Sequence, residues 1–127
     1  MPQSLKAEKN VLGGELLPCS YAPLTGYFRD GCCATHGTQG VAHLVCIRAT
    51  REFLEFSRER GNDLSTPRPE LRFRGLQHGD RWCLHVLRWI EAWEAGRAPK
   101  VVLEATHHNV LNFVPLSALQ RHSLDPD

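Results

Sequence analysis

Residues 81–99 read RWCLHVLRWIEAWEAGRAP, and two periodicities meet inside them. Arg81 to His85 or Val86 alternates with period two, as a half-buried strand does. Val86, Trp89, Ile90 and Trp93 instead recur at helical spacing, with Trp89 and Trp93 one turn apart on a packed face. A strand that runs straight into a helix satisfies both patterns. Gly96 then reads as the helix C-terminal cap, and Pro99 blocks continuation. On such a strand Cys83 and His85 share one face, while Trp82 and Leu84 point to the other, toward apolar core.

The same alternation of strand and helix appears upstream. Ala42–Ala49 (AHLVCIRA) reads as a buried strand, and Thr50 can cap a helix over Arg51–Arg60 that buries Phe53, Leu54 and Phe56. Gly61 and Asn62 tolerate the left-handed conformation that ends it. Residues 62–80 form a long irregular connection, with prolines at 67 and 69 and with Leu71, Phe73 and Leu76 as its expected pins. Downstream, Lys100–Thr106 (KVVLEAT) reads as a third strand. A short helix over His107–Leu111, capped by Thr106, and a last helix over Pro115–Arg121 follow. Residues 11–31 are turn-rich, with short extended pieces near Val11 and Tyr27. The expected fold class is α+β: one compact domain over residues 10–127, with a small mixed sheet packed with three to four helices and long irregular loops. Residues 1–9 read as a flexible N-terminal arm.

Composition narrows the function classes. The chain has 127 residues, 42% hydrophobic and 23% charged, which suits a folded domain able to bury a core without metal or disulfides. Its net charge of +1 gives no electrostatic pull toward nucleic acid or anionic membrane, so neither is an expected partner. No apolar run is long enough to span a bilayer. The N-terminus MPQSLKAEKN lacks an apolar signal region, so a cytoplasmic location is expected, where thiols stay reduced. The five cysteines are odd in number, so they cannot all be paired within the chain. Reduced thiols, a metal site or a catalytic pair are therefore expected ahead of a disulfide scaffold. No phosphate loop, dinucleotide fingerprint or hydrolase elbow is present.

Candidate chemistry concentrates in residues 29–46, RDGCCATHGTQGVAHLVC, and in WCLH at 82–85. Thiolate and neutral imidazole are the preferred ligands of zinc, and thiolates also hold iron. Cys32, Cys33, His43, Cys83 and His85 are the candidate metal ligands, for zinc or iron. His43 and Cys46 are three apart, so a regular strand would send them to opposite faces, and only a turn or bulge would unite them. Cys46 lies between Val45 and Ile47 and suits the core. A bond between the neighbours Cys32 and Cys33 would be strained. The spacing matches no zinc-finger pattern, and buried structural thiols are the simpler alternative.

Four further residues are weaker catalytic candidates. Glu104 sits in apolar strand text, where desolvation would raise its pKa and suit it to acid–base work, beside His107. Asp30 and Arg81 lie in charged turns. A carboxylate–guanidinium pair there could hold the cysteine loop against the 81–85 strand, although Asx-turns explain the aspartates more simply.

The stretches NVLGGELLPCS, PLTGYFRDGCC, HLVC, EFLEFSRERGNDLSTPRPE, GLQHGDRWCL and APKVVLEATH together resemble the bacterial family labelled domain of unknown function 2237, from about Asn10 to about His122. The resemblance implies no activity, cofactor or catalytic residue. It does imply that Cys19, Cys32, Cys33, Cys46, Cys83 and His43 stand at family positions. His85 falls where such sequences often carry cysteine, an exchange that preserves zinc-type ligation. The loop after Cys33, ATHGTQGVA with His36, is less acidic than the family text. Three functions stand open: a transition-metal site, a thiol redox protein using Cys32 and Cys33, and a non-catalytic module binding a small molecule or protein. Whether the chain is an enzyme is not fixed, and a homo-oligomer is compatible with its sequence.

Overall fold

The computed structural model describes residues 8–124. Its strands are β1 (His43–Arg48), β2 (Arg81–His85) and β3 (Lys100–Val101), and its α-helices are α1 (Arg51–Glu59), α2 (Val86–Glu94) and α3 (Leu116–Arg121). Three 3-10 turns, at Pro69–Leu71, Leu103–Ala105 and His108–Asn112, complete the elements. The order along the chain is β-α-β-α-β-α, and the fold is α+β.

The sheet runs β2-β1-β3. The pairing expected to be mixed is antiparallel in both ladders. A parallel component appears as an isolated bridge between Val101 and Ser123. Cys46 faces Cys83 across the β1–β2 ladder, Val45 faces Leu84, and Ile47 faces Trp82. One side of the sheet therefore carries Val45, Ile47, Trp82 and Leu84 into the main apolar core with Phe53, Trp89 and Leu119. The opposite side carries the cysteines into a second cluster with Cys19, Cys33 and Ala105. The assignment of Trp82 and Leu84 to the core face and Cys83 to the other is thus correct.

Local chemistry explains the two longer helices. The Thr50 hydroxyl accepts from the Phe53 amide and starts α1. Imidazole caps α2: Nδ1 of His85 accepts from the Leu87 amide at 3.1 Å. Trp89 is fully buried, donates through its indole N–H to the Pro99 carbonyl, and packs on the Trp93 ring at 5.6 Å.

The third strand is shorter than expected. It ends at Val101, and Leu103–Ala105 forms a 3-10 turn. The chain still follows the β1 edge, because the Val102 amide donates to Cys46 and the His107 amide to Leu44. Between those points the Thr106 hydroxyl takes the Cys46 amide and donates to the Val102 carbonyl, in place of a ladder carbonyl. The carbonyls of Glu104 and Thr106 serve the Leu17 and Val11 amides of the N-terminal segment instead. With Thr106 so engaged, His107 caps the following 3-10 turn. In the 62–80 connection Leu76 is buried and Phe73 packs partly on the core, but Leu71 is 62% exposed and pins nothing. Val11 and Tyr27 lie in turns, not extended pieces.

Residues 1–7 of the expected arm lie outside the described residues, but Glu8 and Lys9 are anchored. The Glu8 carboxylate accepts from the amide and hydroxyl of Thr35, the His36 amide and Nε2 of His107. Nδ1 of His107 accepts from the Asn109 amide, which leaves the proton on Nε2 to donate at 2.6 Å. Burial pushes the Glu8 carboxyl upward, but these donors outweigh it and lower its pKa from 4.5 to about 2. A depressed carboxyl stabilises the fold above its unfolded pKa and loses that contribution as pH falls. Glu8→Gln should therefore remove about 1–2 kcal/mol at pH 7, after discounting for solvent screening, and very little near pH 2. Urea unfolding at both pH values measures the difference.

Candidate functional site

Two features dominate this region: a covalent clamp on the cysteine side of the sheet and a cleft along the free edge of β2. Cys19 is disulfide-bonded to Cys46, and Cys33 to Cys83, with Cα separations of 5.7 and 5.3 Å. Cys46 and Cys83 face each other, yet each bonds a loop cysteine, so the 19–33 region is tied to the hairpin at two points. The expectation of reduced thiols is corrected. The odd cysteine is Cys32, which is free and half-buried. The neighbours Cys32 and Cys33 are not bonded to each other, as strain predicts.

The clamp decides how the loop is held. Asp30 and Asp80 make local contacts instead of the proposed pair with an arginine across the loop and strand. Asp30 accepts from the Cys32 amide in an Asx-turn and pairs with Nε2 of His36 at 2.6 Å. Asp80 pairs with Arg74. Arg81 is exposed and has no carboxylate within ion-pair distance among the described residues. At the edge of β2 the buried Thr25 hydroxyl accepts from the Cys83 amide at 2.8 Å, which seats residues 25–29 along the strand. Gly26 has φ +105°, and a Cβ there would strike the Cys32 carbonyl, so the close approach of these loop strands requires glycine.

A cleft of ≈ 730 Å³ opens between this loop, the end of the β1–β2 hairpin and the start of α2. Its walls include Tyr27, Arg29, His43, Trp82, Cys83, His85 and Arg88. A register shift between His43 and Val45 sets His43 opposite His85, with ring centroids 5.2 Å apart. This is the bulge that the sequence required for His43 to join the cysteine face. His43 is kept below the usual histidine range by burial, then by His85 and Arg29. His85 is lowered by burial and then by Arg88. Both rings are thus neutral at pH 7. Nδ1 of His43 is buried and has no hydrogen-bond partner among the described residues.

Arg29 stands at the rim. Its backbone is left-handed, with φ 57°, a conformation that costs a non-glycine residue about 1 kcal/mol. Its guanidinium lies 5.4 Å from the centroid of the Trp82 ring, and no carboxylate of the described residues pairs with it. Arg88, by contrast, pairs with Glu91 at 3.2 Å.

The structure thus brings together His43, Cys83 and His85 of the expected metal ligands. Cys33 is fully buried and bonded to Cys83, and neither sulfur is a thiolate while that bond stands. The Cys32 thiol is pushed up by burial, then by Asp30 and Glu8, the reverse of what a reactive cysteine needs. Glu104 is exposed rather than desolvated, so the reason for proposing it as an acid or base is gone. His107 is buried against Glu8 and serves the N-terminal anchor. Arg29 is expected from the sequence only as a charge that could assist a cysteine thiolate, and Tyr27 and Thr25 carry no signal there beyond their place in the turn leading to the CC pair.

His85 acts both in the cleft wall and as the α2 cap. His85→Ala should cost about 0.5–2 kcal/mol through the lost cap. Protonation of wild-type His85 would remove the same acceptor. Since its folded pKa lies below the unfolded value, this stability is present at pH 7 and declines as pH falls below about 6.5. Thermal melts of wild type and variant should therefore converge in acid.

The class defined here is a small α+β domain with a disulfide-clamped loop over a polar cleft. The chain belongs to the family described as uncharacterized protein conserved in bacteria (DUF2237), which matches residues 9–123. No curated protein matches the chain. Among the described residues no helix is long and apolar enough to cross a membrane.

Proposed function

We propose that the protein is a binding module for a small anion, a carboxylate- or phosphate-bearing molecule, taken into the cleft beside Arg29. The observation that carries this reading is Arg29 itself. It is an ion-unpaired guanidinium on strained backbone, braced on Trp82, beside two neutral imidazoles. Guanidinium suits planar or tetrahedral oxyanions because its N–H groups form a fixed fork. Neutral His43 and His85 can donate hydrogen bonds without adding charge. The disulfides act here as clamps that hold the loop in place before a ligand arrives.

The thiol redox reading finds no support in Cys32, whose thiol is held protonated, or in Cys33, which is bonded. A metal bound by Cys32, Cys33, His43, Cys83 and His85 would need the Cys33–Cys83 bond open first. No reaction is assigned. The cytoplasmic expectation implies reduced thiols, and the two disulfides run against that implication.

Trp82 lines the cleft, so its fluorescence reports occupancy. Titration with inorganic phosphate and with mono- and dicarboxylates should give a saturable change for at least one ligand. Arg29→Ala should weaken that binding about 10-fold or more, the loss of one charge-assisted hydrogen bond. A linear response to every ligand, or equal affinity in the variant, would refute the proposal.

A further inference from the structure

We propose that the two disulfides are the oxidised state of a zinc site, and that their reduction yields four thiolates, from Cys19, Cys33, Cys46 and Cys83, holding one zinc ion. The site shares Cys83 and the clamp with the cleft wall but does not rest on anion binding there. The sulfurs of Cys19, Cys33 and Cys46 already lie within 4.8 Å of one another. A zinc–sulfur bond of about 2.3 Å sets tetrahedral ligands about 3.8 Å apart, so these three sulfurs need only small shifts, while Cys83, outside that group, must swing in once its bond to Cys33 opens. Cys83, bonded to Cys33, supplies the fourth sulfur.

The setting suits a closed, sulfur-only site. All four cysteines are at most 4% exposed, and their apolar neighbours are Val102 and Ala105. Soft thiolates in a dry, closed shell favour zinc with no open coordination position. A zinc ion with four thiolates carries two net negative charges. Arg48 and Arg81 face each other two residues along from Cys46 and Cys83, on the same side of the ladder. Neither makes an ion pair among the described residues, so both can offset that charge.

The chemistry balances with a dithiol as the reductant. Each disulfide takes two electrons and two protons from one dithiol, which leaves as its own disulfide. Two dithiols thus give four thiols, and zinc displaces their four protons on binding. Oxidation by a disulfide reverses the sequence and releases the ion.

The test uses the whole chain, reduced anaerobically with a dithiol, cleared of it, and titrated with cobalt(II) as a spectroscopic stand-in for zinc. The expected result is one cobalt per chain with tetrahedral thiolate absorption, displaced by zinc, and a melting temperature of reduced protein raised by zinc. Oxidised protein should bind none. Cys19→Ser should weaken cobalt binding by at least the roughly 10–100-fold that an outer-shell change produces, whereas Cys32→Ser and the His43→Ala/His85→Ala double variant should retain it. Reduced wild type that takes up no cobalt, or binds it without thiolate absorption, overturns the proposal. So does binding that survives Cys19→Ser but is lost with the histidines.

Discussion

Serine at both positions 33 and 83 should lower the unfolding free energy by about 4 kcal/mol. That bond spans 50 residues, and on the chain-entropy account a cross-link of this length restricts the unfolded chain by about that amount. The Cys19–Cys46 bond spans 27 residues, so its removal should cost slightly less, about 3.5 kcal/mol. The two spans overlap, because Cys33 lies inside the 19–46 loop and Cys46 inside the 33–83 loop. Each bond therefore restrains part of the chain closed by the other, so each single removal costs slightly less than its isolated value and removing both should cost slightly more than the sum of the two single losses. Urea midpoints for the two double-serine variants and the four-serine variant measure the effect. A drop below about 1 kcal/mol for each pair would mean that the bonds do not hold the loop.

Trp89→Ala should cost about 3–5 kcal/mol, the usual range for a fully buried tryptophan. The side chain has no exposed surface and lies where α2 meets the sheet and the C-terminal segment. Its loss removes the bond to the Pro99 carbonyl and the edge contact with His122 at 5.4 Å. The orphaned carbonyl adds to the cavity. Trp89→Phe keeps most of the packing but not the donor, so it should cost distinctly less. Denaturant unfolding of both variants separates the packing loss from the hydrogen-bond loss. Equal destabilisation would place the whole effect on the indole N–H.

What the sequence made legible follows from where information is local. The strand-to-helix switch at 81–94 was readable because Trp82 and Leu84 alternate while Val86, Trp89 and Trp93 follow a helical period. Thr50 announced α1 through a hydroxyl that acts three residues away. Lys100–Thr106 misled because its apolar text suits a strand, while its carbonyls serve residues about ninety positions earlier in the chain. No local pattern encodes that competition.

The site divides in the same way. Cys83 and His85 could be set on one face from strand alternation alone. The disulfide partners could not, since Cys19 and Cys33 reach the sheet through irregular loops. The bulge at Leu44 that turns His43 toward His85 is likewise a property of the hairpin register, not of HLVC as text. The sequence places Arg29 beside the cysteines as a charge in a turn, and nothing local in it points to a cleft wall. Its significance comes from Trp82, more than fifty residues away, beneath its guanidinium.

The central claim is that an anion enters the cleft and contacts Arg29 and the two neutral imidazoles. The most direct measurement is histidine NMR at pH 7 during titration with phosphate and dicarboxylates. The account predicts that the His43 and His85 ring signals move together and saturably, that those of exposed His78 and His108 do not, and that Arg29→Ala suppresses the movement. Unmoved His43 and His85 signals across the whole panel, or identical shifts in Arg29→Ala, would contradict it.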